Sequence, residues 1–281
     1  MLIACPPMDY TIDQRWTDYT VEEHATWKVL FERQVGVLRA GACRPFLDAL
    51  RTLPIGPERI PDLAQLNPLL GARTGWTVVA VPGLVPDEVF FEHLARREFP
   101  VGRFIRKPHQ LEYLQEPDIF HDVFGHVPML MHPAMAGFMQ AYGAGGLRAL
   151  RLGVLEQLAR VYWYTVEFGL VEEEGQLRIY GSGIASSFAE CSYCLNDPVP
   201  QRLHFDLDRV LRTGYRIDAF QACYFVLGHF DQLLELARID FAPHYAHASS
   251  SEVLRPEARL PADRVYAMRG STKGARAGAG G

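Results

Sequence analysis

The sequence of 281 residues is short of several things, and each shortage removes a class of protein. No apolar run approaches the ~20 residues that a membrane-spanning helix needs. There is no basic excess: 28 Lys and Arg stand against 33 Asp and Glu, a net charge of −5. That balance argues against nucleic acid as a partner. Cysteines number five, Cys5, Cys43, Cys191, Cys194 and Cys223, an odd count without framework spacing. The amino terminus, MLIACPPMDYTIDQRW, is too acidic and too poor in apolar residues for a secretory signal. A reducing cytoplasm is the expected location. Neither GxGxxG nor a Walker sequence occurs, and no internal repeat is visible. The remaining composition is ordinary, 48% hydrophobic and 22% charged, which excludes a disordered chain. A domain of this size buries roughly three quarters of its unfolded surface, enough for a substantial core.

Periodicity reads mostly as helix. Thr20 and Glu23 have the spacing of a capping box, followed by apolar Val21, Leu30, Phe31, Val35 and Leu38 and closed by Gly41. Pro61 and Pro86 each stand where a first helical turn begins. The second opens PDEVFFEHLARREF, between two strand candidates, Trp76–Val81 and Val101–Arg106. The longest helical pattern runs from about Leu147 to Leu170, and Gly143-Ala-Gly-Gly146 reads as a helix end. Tyr180-Gly-Ser-Gly183 reads as a turn into a helix through Tyr193, while QACYFVLG fits a strand or a buried helix equally. The expected fold is mainly α with a few short β-strands and no doubly wound sheet. One domain is expected over residues 1–247, with its core at about 10–245. Residues 248–281, rich in small side chains, are expected to form a flexible tail.

Chemistry concentrates in two stretches. In Glu116-Pro-Asp-Ile-Phe-His121-Asp-Val-Phe-Gly-His126-Val-Pro128, two histidines lie five apart among apolar neighbours. On a regular helix they point about 140° apart, and they converge only if the helix widens or ends near Gly125. A pair of core histidines satisfied by hydrogen bonds fits the same spacing. In Val161-Tyr-Trp-Tyr-Thr-Val-Glu167-Phe-Gly-Leu170, a single carboxylate sits in an apolar, aromatic helical pattern. Burial demands that it be paired, protonated or bound to a cation. Arg160, seven positions back on the same face, is one partner; a metal shared with the two histidines is the other. Two histidines and one carboxylate leave coordination positions open, which suits ferrous iron and also catalytic zinc.

These segments resemble the pterin-dependent aromatic amino acid hydroxylases, most of all the short bacterial phenylalanine 4-hydroxylases. The likeness is carried by Gly83-Leu-Val, Phe104-Ile-Arg106, Glu116 through Pro128, Tyr162 through Leu170, Tyr180 through Ser187, and Tyr215 through Gln221, in order and in register. The resemblance implies that His121, His126 and Glu167 hold Fe(II). It implies that Phe90 stacks on a tetrahydropterin (tetrahydrobiopterin or a bacterial analogue), with Asp122 and Tyr162 beside it. Arg106 would clamp the substrate carboxylate, and Pro117, Trp163 and Ser186 would line the substrate pocket. Ile217 stands where tyrosine-specific members carry an acid, which favours L-phenylalanine as substrate. Without the cofactors, an aromatic ring reacts too slowly with O2, so metal and pterin carry the oxidation.

The resemblance is incomplete at Leu114, where animal members have a threonine near the substrate amino group, and at Pro100, where they have a histidine near the pterin. Their regulatory domain and tetramerisation helix have no counterpart, so a monomer is expected, with a separate pterin-recycling enzyme as partner. Three other readings stay open: hydroxylation of tryptophan, a zinc hydrolase using the same ligands with Asp122 as base, and a binding protein in which the metal serves folding. Cys191-Ser-Tyr-Cys194 is a lone CxxC and reads as buried helix cysteines.

Overall fold

The computed structural model describes residues 9–112 and 116–267. Cys5, Leu114 and residues 268–281 of the expected tail lie outside them. The first helices are α1 (Val21–Gly41), α2 (Arg44–Thr52) and α3 (Leu63–Thr74). The capping box forms as the spacing predicts: the Glu23 amide donates to Thr20 Oγ1 and the Thr20 amide donates back to the Glu23 carboxylate. Pro61 and Pro86 fall just outside their helices. The first precedes the N-cap Asp62, and the second is itself the N-cap of α4 (Asp87–Ala95).

Helix α4 crosses between two parallel strands, β1 (Thr77–Val81) and β2 (Glu98–Gly102). The second strand therefore lies earlier than the predicted 101–106. Its place is set by pairing with β1, and its Pro100 is tolerated because a two-stranded sheet has only edge strands. After β2 come a π-helix (Phe120–His126), α5 (Val127–Leu130) and α6 (Pro133–Leu152). Next are α7 (Leu155–Tyr162) and a second π-helix (Trp163–Glu167). The long pattern predicted over 147–170 is thus broken at Gly153, which adopts φ 69° and caps α6.

The second sheet has the order β4-β3-β6-β5, built from β3 (Leu170–Glu173), β4 (Gln176–Ile179), β5 (Gln201–His204) and β6 (Cys223–Leu227). QACYFVLG resolves as β6, a central strand buried along its whole length. Between these strands lie α8 (Ser182–Ala185), α9 (Phe188–Asn196) and α10 (Leu207–Arg212), and α11 (Asp231–Leu236) and α12 (Ala242–Ser249) follow. The fold is mainly helical with few strands, as expected.

Two further expectations are corrected. Residues 250–267 are not a loose tail. Val265 pairs with Leu203 on the open edge of β5, Asp263 forms a buried ion pair with Arg209 at 2.8 Å, and Tyr266 is buried. An unpaired strand edge and a buried guanidinium recruit this segment despite its small-residue composition. Gly143-Ala-Gly-Gly146 is not a helix end but the middle of α6, where α4 lies directly against it. A Cβ on Gly143 would stand 2.4 Å from the Ala95 backbone nitrogen, and one on Gly146 2.1 Å from the Phe91 ring. The glycines exist to admit α4.

Gly143→Ala is therefore expected to lower stability by about 1–3 kcal/mol in urea unfolding, because backbone must move. Gly145→Ala, which meets nothing within 4 Å, is expected to raise it by about 0.5–1 kcal/mol. Equal midpoints for the two variants would contradict this account of the α4–α6 contact.

Candidate active site

Both π-helices end in site residues. A turn closed by i→i+5 hydrogen bonds is wider than an α-turn, so residues five apart share a face. His121 and His126 do so: their Nε2 atoms lie 3.1 Å apart. Glu167, last residue of the second π-helix, places Oε1 3.2 Å from His126 Nε2 and Oε2 3.6 Å from His121 Nε2. All three donor atoms fall within 4.8 Å of one another. Arg160 is not the partner of Glu167. It donates to the Leu211 carbonyl at 2.7 Å and pairs with Glu156.

Neighbouring groups set the orientation of each donor. The Ser186 hydroxyl donates to the Ser182 carbonyl at 2.8 Å. Its oxygen must then accept from His121 Nδ1, 2.8 Å away, which puts the proton on Nδ1 and leaves the Nε2 lone pair facing the other two donors. Ser182 donates to Glu167 Oε2 at 3.0 Å. Gly181 lets this segment approach, since a Cβ there would lie 2.4 Å from the Glu167 carbonyl oxygen. Burial pushes His121 down to about 4, so its imidazole is neutral at pH 7. Burial alone would raise Glu167, but the facing histidines outweigh it and hold the carboxyl at about 2.

The surrounding residues fall into two groups. On one side, Phe90 is half-buried with its ring edge-on to Tyr162 at 6.1 Å, and Tyr162 lies 6.4 Å from the His126 ring. Its neighbour Phe91 is a core residue of α4, at 4% exposure. Asp122 is buried below this group and accepts from the Gly102 amide at 2.7 Å; burial raises its carboxyl to about 7. On the other side, Arg106 is gripped by Asp118 through Nε and Nη2, both at 2.9 Å, and Pro117 is half-buried next to them in sequence. Burial works against ionised Asp118, yet the Arg106 hydrogen bonds and charge leave its pKa below the ordinary value. Trp163 stacks on Tyr215 at 4.2 Å and 15°. Ile217 is not brought in: it is 67% exposed at a loop tip.

The match to known proteins agrees with this geometry. Residues 7–247 match the model of the biopterin-dependent aromatic amino acid hydroxylases. The chain belongs to that family. It is 55% identical to a phenylalanine-4-hydroxylase of Caulobacter vibrioides over 270 residues, 96% of this chain and 92% of the other. A phenylalanine-4-hydroxylase of Chromobacterium violaceum is 52% identical over 244 residues, covering 87% and 82% of the two chains. The solved structure of the Chromobacterium violaceum phenylalanine hydroxylase bound to cobalt superposes with a TM-score of 0.90 at 50% identity, over 92% of this chain and 94% of that one.

Three residues of this candidate site escaped sequence reading. Asp118 lies inside the Glu116-Pro-Asp motif, but only the fold reveals its grip on Arg106. Ser182 is in the Tyr180-Gly-Ser-Gly183 turn and carried no signal beyond a turn residue. Gln221 closes the Tyr215–Gln221 segment and accepts the Trp163 indole N–H at 2.9 Å. The CxxC thiols of Cys191 and Cys194 are buried and free, and burial pushes Cys191 up to about 12, which leaves both unreactive.

Asp122 allows a test by pH. A carboxyl held at about 7 in the fold and near 3.8 when unfolded contributes stability at low pH that is lost as pH rises through 7. In metal-free protein, the stability of wild type relative to Asp122→Asn is expected to fall by about 1 kcal/mol from pH 6 to pH 8. A difference independent of pH in urea unfolding would show that Asp122 is already ionised at pH 6.

Proposed function

We propose that this hydroxylase is a phenylalanine 4-monooxygenase, converting L-phenylalanine to L-tyrosine with O2 and a tetrahydropterin. The carrying observation is the convergence of His121, His126 and Glu167 in a chain of this family, with His121 locked in the tautomer that offers Nε2. Two imidazoles and a carboxylate fit Fe(II) and leave coordination positions open. When bound, the ferrous ion and the tetrahydropterin (tetrahydrobiopterin or a bacterial analogue) supply the electrons that make O2 able to attack an aromatic ring.

The residues of the chain bind and orient. Phe90 and Tyr162 offer an aromatic wall for a flat pterin ring, and Asp122, whose buried carboxyl is raised to about 7, serves as hydrogen-bonding group beside it. Arg106, its guanidinium plane fixed by Asp118, receives the substrate carboxylate. Pro117 and Trp163 enclose the substrate ring and keep out water. Ser186, assigned to the substrate pocket by resemblance, acts on the metal side by orienting His121. Ile217 would meet the substrate only if the loop tip closes over it. Phenylalanine is favoured over tryptophan as the substrate because both curated relatives named above are phenylalanine-4-hydroxylases.

No helix among the described residues is long and apolar enough to cross a membrane. The free thiols at Cys43, Cys191, Cys194 and Cys223 support a reducing, cytoplasmic location. A monomer is proposed, served by a separate enzyme that returns the oxidised pterin to its reduced form.

The deciding assay measures tyrosine from phenylalanine with Fe(II), O2 and tetrahydropterin, omitting each in turn. Loss of product on every omission is expected. Anaerobic hydrolysis with zinc and no phenylalanine-dependent oxygen uptake would instead establish the zinc hydrolase. Glu167→Gln is expected to abolish turnover with little change in melting temperature; an unfolded variant would favour a structural metal. Ser186→Ala is expected to weaken Fe(II) binding about 10- to 100-fold in a chelator competition. Unchanged affinity would remove Ser186 from the metal side.

A further inference from the structure

One buried acid lies outside the metal and cofactor groups yet is wired to the substrate side. Glu190, on α9, is 4% exposed. Its Oε1 accepts hydrogen bonds from the Tyr224 hydroxyl and from the Gln221 backbone amide, the latter at 3.2 Å. Gln221, 3% exposed, then works in two directions. Its Oε1 takes the Trp163 indole N–H at 2.9 Å, and its Nε2 donates to the carbonyls of Arg216 at 2.9 Å and Ala219 at 3.3 Å. Those carbonyls bracket Ile217. The other end of the same loop is held by the Tyr164 hydroxyl on the Gly214 carbonyl, the Gly214 amide on the Leu254 carbonyl, and the Tyr215–Trp163 stack.

A buried carboxyl and a buried amide are a poor choice where packing alone is needed, since apolar side chains of equal volume would serve stability as well. Their merit is directional. A planar amide with both ends bonded fixes the indole and the loop relative to each other, which apolar contacts do only loosely. We propose that Glu190 and Gln221 are positioning residues that hold Trp163 and the 215–220 loop in register, and so set which aromatic amino acid the site accepts. The proposal rests on the reading above that Trp163 and Ile217 border the substrate. It gives Ile217 a route to influence selection although its side chain is mostly exposed. Glu190 Oε1 only accepts in this network, and an amide oxygen can accept the same two hydrogen bonds, so glutamine is a close replacement for it.

The experiment compares Gln221→Met, Glu190→Leu and Glu190→Gln with wild type, all loaded with Fe(II) and supplied with tetrahydropterin. Gln221→Met and Glu190→Leu are expected to raise KM for phenylalanine about tenfold, a modest part of the ~100-fold that a 1 Å misplacement can produce. They are expected to change the phenylalanine-to-tryptophan ratio of kcat/KM by a similar factor, with kcat and iron content little altered. Glu190→Gln should restore wild-type values. If Glu190→Leu does not fold, Tyr224→Phe removes one hydroxyl from the same network and should raise KM about threefold, the effect of part of one hydrogen bond. Folded, iron-loaded variants with unchanged KM and unchanged substrate ratio would overturn the proposal while leaving the phenylalanine reading intact. A wild type that forms no tyrosine from phenylalanine would overturn that reading, and this proposal with it.

Discussion

Three electron-rich donors held 3.1–3.6 Å apart repel one another unless a proton or a cation lies among them. That crowding is the constraint around which the rest of the fold is arranged. It explains why two π-helical turns, an uncommon and less favourable backbone form, occur where site residues are needed. It also fits the commitment of Arg160 elsewhere, since Arg160 beside Glu167 would neutralise the carboxylate and compete with a metal. A cation that binds only the folded chain adds its binding energy to stability, so metal and fold support each other.

The remaining parts hold that arrangement from several directions. Ser182 on α8 and Ser186 at its C-terminal cap each act on a different donor, and Gly181 allows α8 to approach closely enough. The α4–α6 contact, admitted by Gly143 and Gly146, brings Phe90 up to Tyr162. Asp118 ties Arg106 to the backbone of the first π-helix, because the same carboxylate also accepts the His121 amide at 3.1 Å. His121 and the proposed carboxylate-binding group are thus tied through one carboxylate, and a shift in either moves the other.

Polar groups at this site are used for direction more than for stability. A buried Arg–Asp pair is weak evidence for stability, since desolvation offsets much of the attraction. Bidentate geometry, however, fixes a plane, and a substrate with a carboxylate and a flat ring has to be met in fixed planes. The amide of Gln221 does the same for Trp163.

Much was legible before any coordinates. The capping box at Thr20, the helix of Phe90, the mainly helical class and the segments carrying His121, His126 and Glu167 all follow from local pattern or from ordered resemblance, because each depends on residues close in the chain. What failed depended on partners distant in it. Gly143 looked like a helix end because a glycine that admits another helix has the same letter as one that caps. Residues 250–267 looked loose because their order comes from the β5 edge and from Arg209, not from their own apolar content. Residue identities alone state which donor types are available and that a single buried carboxylate needs a partner. That the partner is a pair of histidines and not Arg160 follows from the fold, because a five-residue spacing converges on one side only when the turn widens, and that widening is not written in the spacing itself.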